Sequence, residues 1–196
     1  MAWRQIMFLN FYFPTIISSD TNVPLANSML PVAKKYLNDN SMRSDAWGYK
    51  NTYGKGIEQL PDVKPFVDYI REKSVEYFDS CGYDSQKISF KIEVFTSEMF
   101  EGDSHDRHAH ANSLLSGVFY LQAPKGSSSI KFFDPRPHKN CIAYPIKDSS
   151  PNNWDELYVP AEVGVFLIWE SWLQHSVPIN HSKDGRITLV FNVSSN

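Results

Sequence analysis

The chain has 196 residues, 42% of them hydrophobic, which is enough for one domain with a core that needs no disulfide. Its net charge of -3 gives no general attraction to nucleic acid or anionic membranes, and its only cysteines, Cys81 and Cys141, form neither a disulfide framework nor a thiolate metal site. Because no apolar run approaches the roughly 18 residues of a membrane span, we expect no membrane segment and a location in the reducing cytoplasm.

The N-terminal part of the chain predicts one strand followed by a helix. Residues 1–14 are aromatic and apolar but lack a basic start and a small-residue cleavage site, so they predict a first strand rather than a signal peptide. Such a strand could also pair across a homodimer. Apolar residues at three- and four-residue spacing predict a helix from Leu25 to Leu37, with Pro31 near its first turn.

A stronger helical pattern runs from Val63 to Asp79, where the apolar residues form one stripe. Asp62 is a candidate for the N-terminal cap, and Gly82 is a candidate for the C-terminal stop. Both helices are expected to brace the outside of a sheet.

From Ile88 to Val94 the apolar period changes to two, which is typical of a half-buried strand. Five more strand-like runs follow, at residues 115–122, 130–133, 157–159, 164–169 and 186–193. Short strands without helices between them predict a mainly β fold, an antiparallel jelly roll, with a long polar loop at 137–153. We predict a single domain, with the N-terminal strand and supporting helices in residues 1–87 and the jelly-roll core in residues 88–196.

Three histidines are the candidate metal ligands. His108 and His110 are two residues apart, and in an extended strand this spacing turns both imidazoles to the same face. His175 comes shortly after the buried run at 164–169 and can return to that face. A His-x-His pair taken alone is more often a solvated loop pair than a metal site, so further features must support the interpretation.

A supporting feature lies at the start of the last predicted strand. Arg186 and Thr188 share one face of that strand, and the apolar residues between them share the other. A guanidinium beside a hydroxyl is suited to clamp a carboxylate. The simpler alternative, a surface ion pair, is less consistent with a histidine shortly before this strand.

In this order the motifs resemble the 2-oxoglutarate and iron(II) oxygenase family of bacteria and of phages of cyanobacteria. The resemblance extends from about residue 47 to 193 and is carried by His108-Ala109-His110 and by residues 116–121, 133–136, 171–175 and 186–192. It implies a double-stranded β-helix that uses iron(II), 2-oxoglutarate and dioxygen to hydroxylate an organic substrate. In a phage-encoded protein the location would be the cytoplasm of the bacterial host.

The resemblance also implies roles for individual residues. His108 and His175 would bind the metal, Arg186 and Thr188 would hold the far carboxylate of 2-oxoglutarate, and Tyr120 would add a hydrogen bond from a neighbouring strand. These roles are carried over from the family pattern, position by position.

One position departs from the wider superfamily, in which an Asp or Glu lies two residues after the first histidine. This chain has His110 there. Three imidazoles still bind iron(II), but with one fewer negative charge than two imidazoles and a carboxylate. We interpret His110 as the third ligand. The alternative is Asp106, which lies two residues before His108 and would therefore face the same side of an extended strand. It could bind the metal or orient an imidazole.

Two other function classes remain open from the residues. A cupin-like or zinc-dependent enzyme without 2-oxoglutarate would also suit three histidines, although Leu114 stands where a cupin would have a ligand and Arg186 would have no role. A non-catalytic jelly-roll module for binding, or for association with a virion, could have kept the scaffold and lost turnover. The exchange of a carboxylate for histidine is the main support for that reading.

Simpler structural roles are expected for the other notable residues. Trp169 and Trp172 flank the predicted mouth, where packing is the more frequent role of tryptophan than stacking on a substrate. Residues 134–136 predict a turn after a strand. Because the mouth is aromatic and not basic, we expect a peptide or protein substrate rather than nucleic acid. Three further histidines are expected to be solvated: His105, His138 and His181.

Overall fold

The computed structural model describes residues 13–43, 48–136 and 139–195. Two helices are present in this part of the chain, α1 (Val23–Asn40) and α2 (Lys64–Ser80). The strands are β1 (Ile17–Thr21), β2 (Met42–Arg43), β3 (Lys50–Asn51), β4 (Phe90–Met99), β5 (His105–His108), β6 (Leu115–Gln122), β7 (Ile130–Phe133), β8 (Glu156–Val159), β9 (Val165–Glu170), β10 (His175–Val177) and β11 (Arg186–Ser195).

The strands form two antiparallel sheets. The larger sheet has the order β1-β9-β6-β11-β4-β3-β2, and the smaller one has the order β5-β10-β7-β8. Side chains from both sheets meet in one apolar cluster, in which Val118 and Trp169 of the larger sheet pack with Phe132 of the smaller sheet. This arrangement is a jelly roll, and it confirms the predicted fold class.

Both helices cover the outer face of the larger sheet, as predicted. The helical residues Met29 and Phe66 share one buried cluster with Phe119 of β6 and Phe191 of β11. The rings of Phe66 and Phe119 stack with their centroids 5.2 Å apart. Among the described residues, neither helix is long and apolar enough to cross a membrane.

The predicted place of Pro31 is wrong. Helix α1 begins at Val23, with Pro24 in its first turn and Asn22 accepting a hydrogen bond from the Leu25 amide, so Pro31 lies inside the helix. Pro31 is on the exposed face, where water can satisfy the carbonyl that loses its intrahelical partner. The buried apolar stripe on the opposite face is long enough to continue the helix past this break.

The predicted N-terminal cap of α2 is also wrong, whereas its start and its end are confirmed to within one residue. Asp62 belongs to a short 3-10 turn before the helix, and no side chain of the described residues caps the α2 N-terminus. At the other end Gly82 has a φ of 81°. The amides of Gly82 and Tyr83 donate to the carbonyls of Asp79 and Phe78, which is a Schellman motif.

The six predicted strand runs are all present, within a few residues at their ends. The alternation in β11 is confirmed, since Ile187 and Phe191 face the helices while Arg186 and Thr188 are buried on the other side. In the described part, the predicted loop at 137–153 has only a short 3-10 turn, Lys139–Cys141. Most of the predicted first strand lies outside the described residues.

Candidate metal centre

Three histidine side chains converge between the two sheets. His108 ends β5 and is paired directly with His175 at the start of β10, which brings one imidazole from each strand to the same place. His110 follows two residues later, and its Nε2 atom lies 3.2 Å from the Nε2 atom of His108. One nitrogen from each of the three rings lies within 4.8 Å of the others. The structure therefore brings together all three predicted ligands.

Each imidazole is oriented by an oxygen atom that accepts from its Nδ1 atom. The main-chain carbonyls of Asp106 and Leu173 lie 2.7 and 2.9 Å from Nδ1 of His108 and His175, respectively. The side-chain oxygen of Asn192 lies 2.6 Å from Nδ1 of His110. An amide oxygen only accepts, so each Nδ1 carries the proton and each Nε2 keeps its lone pair for a metal ion.

Burial keeps these imidazoles neutral. Desolvation lowers the pKa of His175 to about 3, and it lowers the pKa of His108 and His110 below the ordinary value. A neutral imidazole is the form that binds a metal ion. The donor set of three Nε2 atoms, each fixed by an oxygen on its other nitrogen, thus fits a divalent transition metal such as iron(II).

Asp106 does not join this cluster. Its side chain is exposed, and among the described residues the potential metal-binding group in this region contains the three histidines alone. Asp106 instead contributes its main-chain carbonyl, which accepts from His108. The sequence pattern allowed the Asp106 carboxylate to orient an imidazole. The main-chain carbonyl of Asp106 performs that role instead.

The prediction for His105 is wrong. It begins β5 rather than lying in a polar turn, and its ring stacks on the ring of His108 with centroids 3.9 Å apart. The Tyr49 hydroxyl lies 3.3 Å from its Nδ1 atom, and burial lowers the pKa of His105 to about 3. The pairing of β5 with β10 contains a register shift, which turns His105 toward the cavity. The alternation of residues along a strand cannot predict such a shift. His181 is exposed, as predicted, and His138 lies outside the described residues.

Arg186 is the buried cation of the same cavity, with only 2% of its surface exposed. Its Nε atom donates to the carbonyl of Ser128 at 3.1 Å, and its guanidinium lies 4.9 Å from the ring centre of Tyr120. It forms no ion pair with any carboxylate in the described parts of the chain. A buried charge without a counter-ion is costly, so this site is suited to an anionic ligand.

The other two predicted cosubstrate residues lie beside Arg186. Thr188 is paired across the larger sheet with Tyr120 on one side and with Ser97 on the other. The hydroxyls of Thr188 and Ser97 are 2.8 Å apart, whereas the buried Tyr120 hydroxyl has no hydrogen-bond partner among the described residues. Ser97 was missed, although the alternation of β4 would have placed it on this face.

The histidines and Arg186 line one narrow cavity between the sheets. Its walls include Val118 and Val190, and Trp169, which is buried with its ring edge-on to His175 at 4.9 Å. The packing role predicted for Trp169 is confirmed, whereas Trp172 is half exposed on an outer groove. Beyond the histidines the cavity opens into a wider groove that is lined by residues such as Tyr53 and Phe95.

The predicted turn after β7 is confirmed. Asp134 accepts three hydrogen bonds from the Nε and Nη2 atoms of Arg136 and one from the Arg136 amide, and Lys139 lies 3.1 Å from the same carboxylate. These contacts lower the pKa of Asp134 below its ordinary value, mainly through the Arg136 hydrogen bond. Arg136 is therefore occupied in the turn.

Known proteins with solved structures share this fold. A Pseudomonas putida prolyl-4-hydroxylase superposes with a TM-score of 0.67 at 11% identity, covering 93% of this chain and 94% of that one. The epimerase SnoN of nogalamycin biosynthesis, in complex with Fe3+, alpha-ketoglutarate and nogalamycin RO, has a TM-score of 0.67 at 12% identity, covering 92% and 79%. A prolyl hydroxylase in complex with a hypoxia inducible factor peptide fragment, from Trichoplax adhaerens, has a TM-score of 0.62 at 11% identity, covering 91% and 83%.

Sequence comparison is more specific. No curated protein sequence matches the chain. A family model described as "Putative 2OG-Fe(II) oxygenase" matches residues 93–192, which include the three histidines and Arg186. This match spans just over half of the 196 residues. The chain therefore belongs to the 2OG-Fe(II) oxygenase family, and it is an oxidoreductase with iron(II) as its metal and 2-oxoglutarate as its cosubstrate.

Proposed function

We propose that the protein is a hydroxylase in which His108, His110 and His175 bind iron(II) and Arg186 binds the far carboxylate of 2-oxoglutarate. The observation that carries the proposal is the convergence of three Nε2 lone pairs beside a buried guanidinium that has no carboxylate partner in the described chain. Neutral donors suit the metal, and the unpaired cation suits a dicarboxylate.

When bound, iron(II) with 2-oxoglutarate and dioxygen supplies the oxidising power that converts a C-H bond to C-OH while 2-oxoglutarate leaves as succinate and carbon dioxide. The residues of this chain position and enclose that chemistry. Arg186 fixes one end of the cosubstrate and thereby aims its 2-oxo acid end at the histidines. Val118, Val190 and Trp169 give the cavity apolar walls, which exclude water.

Thr188 and Tyr120 are proposed to complete the carboxylate site. Support comes from their position on the strands that flank Arg186, and from the Tyr120 hydroxyl, which is buried without a hydrogen-bond partner among the described residues. A ligand carboxylate within reach would give that hydroxyl an acceptor. Burying an unsatisfied hydroxyl costs about 1–3 kcal/mol, so its pairing would favour ligand binding.

A peptide or protein residue is the proposed substrate. The groove beyond the histidines has a volume of about 800 Å³ and is open to the outside, so it has room for an extended peptide segment. Its described lining includes Tyr53 and Phe95 together with Glu58, Glu93 and a single lysine, Lys91, so this part of the groove lacks the basic character that a phosphate backbone requires. Two of the proteins with this fold are prolyl hydroxylases, one of them in complex with a peptide fragment.

Three accompanying expectations stay predictions: a location in the cytoplasm, an origin in a cyanophage, and pairing of the N-terminal strand across a homodimer. The dimer would involve residues 1–14, of which only the last two are described. Sedimentation of the purified protein would decide its oligomeric state.

The proposed function is tested with anaerobic protein, iron(II) and 2-oxoglutarate. We expect the weak visible charge-transfer absorption of the metal-bound 2-oxo acid, its loss in His175→Ala, and its weakening in Arg186→Ala at equal cosubstrate concentration. His181→Ala is the matched control, since that histidine is exposed, and its absorption should equal that of the parent protein.

Admission of oxygen gives the second measurement. Succinate should form from 2-oxoglutarate even without substrate, and His175→Ala should abolish it. Full occupancy by zinc after purification without chelators, together with no succinate, would instead support a zinc enzyme or a non-catalytic binding module.

A further inference from the structure

The side chain of His110 is held by a chain of buried side-chain hydrogen bonds, whereas in the described structure main-chain carbonyls accept from the other two ligand histidines. Its Nδ1 atom lies 2.6 Å from the Asn192 side-chain oxygen. The Ser116 hydroxyl donates to the same oxygen at 2.9 Å, and the hydroxyls of Ser116 and Ser171 are 2.7 Å apart. The three supporting residues come from β11, β6 and the turn after β9.

This chain of hydrogen bonds lies inside the protein. Ser116 and Ser171 are fully buried, and Asn192 is 8% exposed. Ser171 also fixes the backbone at this place, because its carbonyl accepts from the His110 amide at 3.0 Å and its own amide donates to Leu114 at 3.0 Å. His110 is thus restrained both at its main chain and at the far nitrogen of its ring.

The arrangement is complementary to an imidazole that carries its proton on Nδ1. The Asn192 oxygen accepts the Ser116 hydroxyl and points its remaining lone pair at His110, so it requires a donor there. An aspartate at position 110 would be shorter and would present only acceptors to this oxygen. To avoid two buried acceptors that face each other, the Asn192 amide would have to turn its NH2 group toward position 110 and lose the hydrogen bond that its oxygen accepts from Ser116.

We infer that Asn192 is a positioning residue, which holds His110 with its proton on Nδ1 and its Nε2 atom toward the metal, so that the site is built for three imidazoles. The inference rests on the proposed function and deepens it. Histidine at this position is therefore part of a supported site and not the remnant of a lost carboxylate. Ser116 and Ser171 act one step further away, by fixing the Asn192 oxygen.

Cobalt(II) is the probe for the test, because its visible absorption reports the ligands and geometry of the bound metal. The full chain, free of metal, is titrated with cobalt(II), and the dissociation constant and the spectrum are recorded together. Asn192→Leu removes the acceptor, and we expect affinity to fall about 10- to 100-fold with an altered spectrum. Asn192→Asp keeps an acceptor and should bind at least as tightly as the parent protein.

Two further variants provide a control and a second test of the hydrogen bonds around Asn192. Ser194→Ala changes the next residue on the same side of β11 and should leave affinity and spectrum unchanged. Ser116→Ala removes one hydrogen bond to Asn192 and should weaken cobalt(II) binding by less than Asn192→Leu does. If Asn192→Leu does not fold, the opposite responses of Asn192→Asp and Ser116→Ala still test the role.

The outcomes separate this inference from the proposed function. Parent-like affinity and spectrum in both Asn192→Leu and Ser116→Ala, with binding lost in His175→Ala, would overturn the role of Asn192 and leave the metal site intact. Parent-like binding in His175→Ala as well would instead overturn the metal site itself. Weak binding in Asn192→Leu, restored in Asn192→Asp, is the expected result.

Discussion

At the scale of single residues, the cavity combines neutral donors with one uncompensated cation. The three ligand histidines and His105 are half-buried or buried, and burial lowers the pKa of each. Arg186 is the one buried cation of this cavity among the described residues.

The stability of the metal-free protein should decrease as pH falls below about 6.5. Unfolded histidine has a pKa near 6.5, whereas folded His105 and His175 have values of about 3, so between these limits the unfolded state binds more protons. The contribution of these neutral imidazoles to the free energy of unfolding is fully present above about pH 6.5 and is lost progressively toward about pH 3. The thermal midpoint should therefore drop between pH 7.5 and 5.5.

Histidine variants identify the groups responsible. His105→Gln should reduce the drop, because one buried imidazole is removed, whereas His181→Gln should not change it. A midpoint that is constant over this range in the parent protein would contradict the neutral state of the buried histidines.

Replacement of Arg186 by methionine should separate binding from stability. The variant loses a buried charge that has no carboxylate partner in the described chain, so the thermal midpoint without ligand should not fall. Its affinity for 2-oxoglutarate in the presence of manganese(II) should decrease by about 30-fold or more, measured by calorimetry.

Arg107→Met serves as the control for Arg186→Met, since Arg107 is exposed on the outer groove. It should bind 2-oxoglutarate like the parent protein. Equal affinity in Arg186→Met and Arg107→Met would contradict the assignment of the carboxylate site to Arg186.

At the scale of elements, β6 is the strand on which the larger sheet depends for its packing. It lies between β9 and β11, and seven of its eight residues are buried. A Cβ atom at Gly117 would lie 2.0 Å from the Phe191 ring and 2.4 Å from the Leu167 carbonyl. The absence of a side chain there lets the Phe191 ring lie directly on the strand.

Gly117→Ala should therefore lower the free energy of unfolding by about 1–3 kcal/mol, because the ring and the backbone must both shift. Gly185→Ala is the matched control. Its Cβ would meet the end of the Glu98 side chain, at 2.7 Å, and that side chain can rotate away. Denaturation in urea measures both variants, and equal losses of stability would contradict the close packing of β6 against Phe191.

The sequence predicted the elements whose signal is local. The apolar alternation of β11 located the core face, and with it Arg186 and Thr188 on the other face. Five strands were missed: Ile17–Thr21, Met42–Arg43, Lys50–Asn51, His105–His108 and His175–Val177. Strands of two to five residues without apolar alternation carry no readable period and depend on distant partners. The Asn192 contact with His110 joins residues 82 positions apart, so no local pattern indicates it.

At the scale of the whole molecule, the charges of the site predict that metal and cosubstrate bind together. Three neutral imidazoles leave both charges of a divalent ion uncompensated, and Arg186 adds another positive charge nearby. The dianion 2-oxoglutarate can neutralise one of the two metal charges with one carboxylate and pair with Arg186 through the other. Each ligand should therefore strengthen the binding of the other by the same factor.

The dissociation constant of manganese(II) should fall at least about 10-fold when 2-oxoglutarate is present, which corresponds to roughly 1.4 kcal/mol of coupling. Glutarate is the control, because it keeps both carboxylates but lacks the 2-oxo group that chelates the metal. It should give less coupling. Unchanged manganese(II) affinity in the presence of 2-oxoglutarate would contradict the charge argument.

The most direct measurement is a crystal structure of the protein with manganese(II) and 2-oxoglutarate bound. We predict one metal ion bound by the Nε2 atoms of His108, His110 and His175, with the far carboxylate of 2-oxoglutarate against Arg186. A metal ion bound by Asp106 in place of His110, or a cosubstrate that lies away from Arg186, would contradict the account.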